Sequence, residues 1–192
     1  MGRLMISISA TLDGYVADAA GNFDWVPITE EQHLFINDRL KGVGTYLFGR
    51  RLYETMRVWD DLPYDETSPA TNEFAEYWRG TDKVVYSSTL ESIELRRGRL
   101  ERRFDPDAAR ALVEASDRDV EIGGPTLAAA ALRAGIVDEI SVYVLPVIVG
   151  GGTRLLPDGV RADLELVDEH RFANGTVYLS YRVRRDAPPP VA

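Results

Sequence analysis

The stretch that most constrains this chain runs from Asp119 to Gly152. A short apolar run at about Val120–Ile122 meets Gly123-Gly124, then Pro125, then an alanine- and leucine-rich run from Thr126 to Ala134, then Gly135 and a second apolar run. Proline is tolerated at the first helical position, where its missing N–H costs nothing. Alanine and leucine have high helix propensity, and glycine suits the left-handed residue just past a helix end. The stretch therefore reads strand, glycine turn, helix, strand. The first N–H groups of such a helix have no internal partner and sit at the positive end of its dipole, so they suit an anion. Two residues without Cβ would let a ligand's phosphates approach. The same glycines serve a plain tight turn between a strand and a helix, and this stretch alone leaves both readings open.

Composition narrows the setting. At 192 residues, 45% of them hydrophobic and 28% charged, the chain is long enough for one domain with a sizeable core. No apolar run approaches the ~20 residues of a membrane span, and the N-terminus lacks a signal-peptide pattern, so a cytoplasmic protein is expected. With no cysteine, thiolate metal sites and disulfides are excluded. The two histidines, His33 and His170, lie far apart in sequence, and no metal site is expected. A net charge of −9 argues against binding nucleic acid through its phosphates.

Other elements follow from local signals. Leu4–Ala10 alternates as a strand does. Asp13-Gly14 and Ala20-Gly21-Asn22 mark turns, and the aromatic segment Phe23 to Pro27 reads as loop. Thr29 followed by Gln32 forms a capping pair for a helix over about Glu30–Leu40, expected to bury Leu34, Phe35 or Ile36 with Leu40. Thr45–Phe48 is a short buried strand running into Gly49-Arg50-Arg51, where a second helix starts. Arginine at a helix start opposes the dipole, so the pair either holds an anion or is simply solvated. Asp60–Pro69 reads as loop and Thr71–Trp78 as helix. Lys83–Thr89 reads as a strand ending in three hydroxyls, and the basic cluster within Leu90–Arg103 as a solvated face. Asp105-Pro106 opens a helix to about Ala115. Leu164–Phe172 and Thr176–Val183 flank Asn174-Gly175, a strong hairpin signal. Residues 185–192, rich in proline, read as a poorly ordered tail. The sum is one α/β domain over residues 1–184.

The order of these motifs resembles the dihydrofolate-reductase-like superfamily, and within it the C-terminal reductase domain of the bifunctional riboflavin-biosynthesis deaminase–reductase. The resemblance rests on Ser9 to Ala17, Phe48 to Glu54, Ile122 to Leu127, and Val137 to Gly152. It implies a mixed, mostly parallel sheet flanked by helices with a C-terminal antiparallel hairpin. It implies NADPH as cofactor, held by Gly49, Arg50 and Arg51, by Ser87, Ser88 and Thr89, and by Gly123, Gly124, Pro125, Thr126 and Leu127. Arg50 is the candidate for the 2′-phosphate, and Ala10 and Val16 would lie against the nicotinamide. Gly150 to Thr153 matches the mobile loop of the folate enzymes, or is an irregular turn.

The substrate side is less defined. Trp25, Phe35 and Tyr53 are the candidate aromatic walls, and Asp13, Asp24 and Glu31 the candidate proton-relaying carboxylates. The implied activity is reduction of a small heterocyclic substrate, on the pattern of 5-amino-6-(5-phosphoribosylamino)uracil reductase. The alternatives are dihydrofolate reduction or a non-catalytic nucleotide-binding module. A homodimer is expected, with no nucleic-acid or membrane partner. The zinc deaminase half of the bifunctional enzyme needs cysteines that this chain lacks.

Overall fold

The structure is a computed structural model and describes residues 1–185. The expected tail lies outside these residues except for Arg185, which pairs with Asp138. Eight strands form one sheet in the order β5 (Gly98–Glu101), β4 (Asp82–Tyr86), β3 (Val43–Gly49), β6 (Asp119–Gly123), β1 (Leu4–Thr11), β7 (Glu139–Leu145), β10 (Val177–Arg184) and β9 (Asp163–Arg171). The strands from β5 to β7 are parallel, and β10 runs antiparallel to both β7 and β9. This is the mixed sheet with a C-terminal hairpin that the motif order implied. A two-stranded ribbon pairs β2 (Tyr15–Ala17) with β8 (Thr153–Arg154). Among the described residues, no helix is long and apolar enough to cross a membrane.

Alternation of side chains divides the core in two. Leu4, Ile6, Leu47, Val84, Val120 and Ile122 face α5 (Pro106–Ala115) and α6 (Pro125–Arg133). Tyr46, Phe48 and Val85 face the other way. They pack with Leu40 of α1 (Glu30–Leu40), Tyr53 of α2 (Arg50–Met56) and Trp78 of α4 (Pro69–Gly80). The helix starts follow their caps. The Thr29 hydroxyl accepts from the Gln32 N–H, and the Asp105 carboxylate from the Asp107 and Ala108 N–H groups. Gly135 takes the left-handed conformation after α6, with φ 65°.

The buried face of α1 differs from the expected one. Leu34 is 46% exposed, whereas Gln32 and Asn37 are buried with Leu40. Asn37 donates to the Ala70 carbonyl and to Glu73, tying α1 to α4, and Gln32 accepts from the Asn174 side chain. Both partners are remote in sequence, so an apolar helical period could not reveal them. Three strands also went unread. The basic stretch before Arg103 contains β5, the turn-rich segment after Asp13 contains β2, and the loop after Gly152 contains β8.

The segment read as loop from Asp60 begins with the last residues of α3 (Val58–Asp61). Asp60 is buried there and faces Lys83 of β4 at 3.8 Å. Lys83 also donates to the Arg96 carbonyl and lies 4.8 Å from the centre of the Trp78 ring. Burial pulls its ammonium down to about 8, against the pull of Asp60. Asp60→Ala leaves this ammonium buried without its counter-charge and should cost about 3–5 kcal/mol. The double variant Asp60→Ala, Lys83→Met should recover part of that loss in urea unfolding. Strictly additive costs would show that the two groups are not coupled.

Candidate active site

The crevice follows from how the chain winds. After β1 and β3 the chain crosses on the α1 and α4 face, and after β6 it crosses on the α6 face. Strand β6 lies between β3 and β1. Connections therefore leave in opposite directions on both sides of the β6 end. In open α/β sheets, ligands bind where strand connections diverge in this way, beyond the carboxyl ends. Gly123-Gly124 thus sits between Gly49-Arg50 at the end of β3 and Ala10-Thr11 at the end of β1.

The two glycines of the turn have separate tasks. A Cβ on Gly123 would meet the Leu52 side-chain tip at 2.4 Å, so this glycine lets Leu52 of α2 lie directly over the end of β6. Gly124 is the N-cap of α6, with φ 85° and nothing within 4 Å of where a Cβ would stand. That is open space at a helix N-terminus, with Pro125 and Thr126 opening the helix. Leu127 instead packs against the core beneath.

Arg50 joins two of the expected segments. Its guanidinium bonds Glu54 at 2.7 Å and the Thr89 hydroxyl at 3.2 Å, linking α2 to the loop after β4. Glu54 was not singled out, although its i, i+4 spacing from Arg50 could have indicated it. Arg51, Ser88 and Thr89 are exposed beside it. Ser87 departs from expectation: it is buried, and its hydroxyl accepts from the Thr89 and Leu90 N–H groups. It closes its own turn instead of presenting an oxygen outward.

Asp13 is a brace. Its carboxylate accepts from the Thr11 hydroxyl at 2.6 Å, the Gly150 N–H at 2.8 Å and the Val149 N–H at 3.3 Å. The Thr11 hydroxyl, and behind it the Gly150 and Val149 N–H groups, hold the carboxyl below its ordinary value. A carboxylate so engaged is a poor general acid, which corrects the proton-relay role expected of it. Around this brace the Leu12 N–H donates to the Val147 carbonyl, and the Leu155 N–H to the Gly14 carbonyl. At Gly152 a Cβ would meet the Ala17 carbonyl oxygen at 2.1 Å. Gly150 to Gly152 is thus an irregular turn clamped onto the β1–β2 loop, next to Ala10 at the end of β1 and Val16 in β2.

The other substrate-side candidates scatter. Tyr53 is only 4% exposed, and its hydroxyl accepts from the Glu94 N–H, so it belongs to the core. Phe35 packs edge-on against Phe172 and Tyr178 and stacks on His170, under the C-terminal hairpin. Glu31 turns the same way, 3.6 Å from His170. Their helical face points to β9 and β10, a direction set by the packing of α1 that spacing alone did not show. Asp24 is exposed and Trp25 half-buried on the loop before α1. The expected groups that the structure does gather are Ala10, Gly49, Arg50, Thr89, Gly123 and Gly124.

Sheet order and strand connections together define an open α/β domain with its candidate site at the carboxyl ends of the central strands. The chain belongs to the RibD C-terminal domain family, whose match runs over residues 3–178. In sequence it is similar to the uncharacterized protein YyaP of Bacillus subtilis (strain 168), 25% identical over 182 residues that span 93% of this chain and 94% of the relative. In structure it is similar to a protein of Shewanella sp. PV-4 provisionally ascribed to riboflavin biosynthesis, with a TM-score of 0.75 at 19% identity over 95% of this chain and 99% of that one. It is also similar to the diaminohydroxyphosphoribosylaminopyrimidine deaminase/5-amino-6-(5-phosphoribosylamino)uracil reductase of Thermotoga maritima. There the TM-score is 0.65 at 17% identity, over 95% of this chain and 57% of that one.

The brace predicts a specific lesion. Asp13→Asn replaces a carboxylate facing three donors with an amide that can satisfy fewer of them. Amide exchange at Val149 and Gly150 should accelerate by roughly 10- to 100-fold. Unchanged protection would mean that the turn is held by the β2–β8 pairing alone.

Proposed function

We propose that this chain is an NADPH-dependent reductase of a small heterocycle carrying a ribosyl group, of the 5-amino-6-(5-phosphoribosylamino)uracil type. The observation that carries the reading is the open N-terminus of α6 at Gly124, beside an arginine already tied to the neighbouring strand's loop. The residues fit a dinucleotide phosphate. Gly124 leaves the approach clear, the free N–H groups of α6 can donate to a pyrophosphate, and Arg50 can turn its guanidinium to a further phosphate. The bound dinucleotide would supply a hydride.

The chain's own contribution is binding, orientation and exclusion of water. Buried Ala10 gives a close-fitting wall at the end of β1. The turn braced by Asp13 is fastened to the end of the same strand. Reduction at a ribosyl carbon needs no acid to protonate a pterin ring. The orientation of Glu31 toward His170 supports that reading over folate reduction.

Titration of the purified protein with NADPH and NADH, followed by fluorescence, tests this directly. Saturable binding with a preference for NADPH is expected. Arg50→Ala should weaken NADPH by about 10- to 100-fold, the worth of one charge-assisted contact, and leave NADH nearly unchanged. Failure of both nucleotides to bind would sink the reductase reading. Equal affinity for the two would remove Arg50 from its role. With binding in hand, oxidation of NADPH on addition of 5-amino-6-(5-phosphoribosylamino)uracil, absent with dihydrofolate, is the expected turnover.

A further inference from the structure

A cavity of about 160 Å³ lies beneath the C-terminal half of α1, between that helix and strands β1, β6, β7 and β10. It sits toward the strands' N-terminal ends, at the opposite end of the sheet from the crevice. Most charged groups at its wall already have partners. Arg3 pairs with Asp119 and with Glu139, each at 2.6 Å. Arg39 pairs with Asp168 and rests 4.4 Å from the Phe35 ring centre and 5.5 Å from that of Tyr178.

Glu121 is different. It stands on β6 with Met5 and Tyr46 as its register neighbours. It lines the cavity and has no hydrogen-bond or ion-pair partner among the described residues. An unpaired acid under a helix is costly, and an apolar residue would fill the same place without that cost. Its side chain is half-buried and faces the cavity, and desolvation there pushes its carboxyl up to about 8.

We propose that this cavity binds a compact organic cation, a monosubstituted guanidinium or amidinium whose coplanar N–H groups meet the Glu121 carboxylate side-on. Charge decides the sign of the ligand. With Glu121 ionised, the carboxylates of Asp119, Glu121 and Glu139 at the wall, with Asp168 on Arg39, outnumber the cations Arg3 and Arg39. The site is negative, and a monocation reduces that charge. Geometry supplies the fork, since guanidinium and carboxylate pair through two parallel hydrogen bonds. Arg39 shows that the neighbouring aromatic rings accept a guanidinium plane.

Size sets the limit. A cavity of about 150 Å³ holds a benzene-sized molecule, so a guanidinium with a short alkyl group fits and a nucleotide does not. Binding takes the proton from Glu121 and releases it to solvent. Burial raises the hydroxyls of Tyr46 and Tyr143 above their ordinary value, so they stay neutral near neutral pH. The hydrogen bond to Asp119 raises the Arg3 guanidinium above its ordinary value, and against the upward push of burial Arg3 holds the Asp119 carboxyl below its own.

The test is calorimetric titration of the full chain with methylguanidinium at pH 7 and pH 9, with NADPH titrated in parallel. One saturable site is expected, about tenfold tighter at pH 9, as follows from a carboxyl that ionises near 8. Close to one proton should be released per ligand at pH 7. Glu121→Gln should abolish methylguanidinium binding and leave NADPH affinity as it is in the wild type. No saturable binding at pH 9, binding kept by Glu121→Gln, or an affinity independent of pH would each overturn the proposal. Methylguanidinium binding without NADPH binding would leave this site standing and remove the reading of the crevice.

Discussion

The reversal of winding at β6 is the constraint on which the structure depends. Its neighbours β3 and β1 hand the chain to one face of the sheet, and β6 hands it to the other. A gap at the carboxyl end follows from that topology before any side chain is chosen. What the side chains do is keep it usable. Gly123 lets Leu52 close the floor, and Gly124 takes a backbone conformation that leaves the start of α6 uncovered. A side chain at Gly123 would meet the tip of Leu52 and oblige it to turn aside.

The crevice and its cover are held by different chemistry. The floor is backbone and glycine, fixed by parallel pairing of β3, β6 and β1. The cover is two irregular segments joined by the three donors to Asp13 and by a ribbon of two short strands. Such a cover has few buried apolar contacts, and regions of that kind open at lower free energy than the core. A rigid floor under a lightly fastened cover suits a site that must admit one molecule and then exclude water.

Local signals were enough for much of the fold. Thr29 with Gln32 marked the start of α1, Asp105-Pro106 that of α5, and Asn174-Gly175 the turn between β9 and β10. Each is a contact within a few residues, so spacing carries it. The glycine turns at the ends of β3 and β6 were legible for the same reason, because a glycine at a strand end followed by a helix is a short pattern. The surroundings of Asp13, Gln32 and Phe35 were not. Asp13 finds its partners at Val149 and Gly150, Gln32 at Asn174, and Phe35 at Phe172 and Tyr178. These meet only once the sheet has assembled. Tyr53 and Ser87 show the converse error: residue types that suit a ligand can be taken up entirely by their own surroundings.

Strand β9 has a consequence of another kind. It closes one end of the sheet, and Leu164, Leu166 and Val167 stand exposed along it. A bare edge of this sort invites a second chain to add itself as a further strand. Interspersed on the same strand are Asp163, Glu165, Asp168 and Glu169, so like charges would face one another in many edge-to-edge registers. The deterrent is electrostatic, so salt weakens the sheet's guard against fibrous self-assembly by screening it.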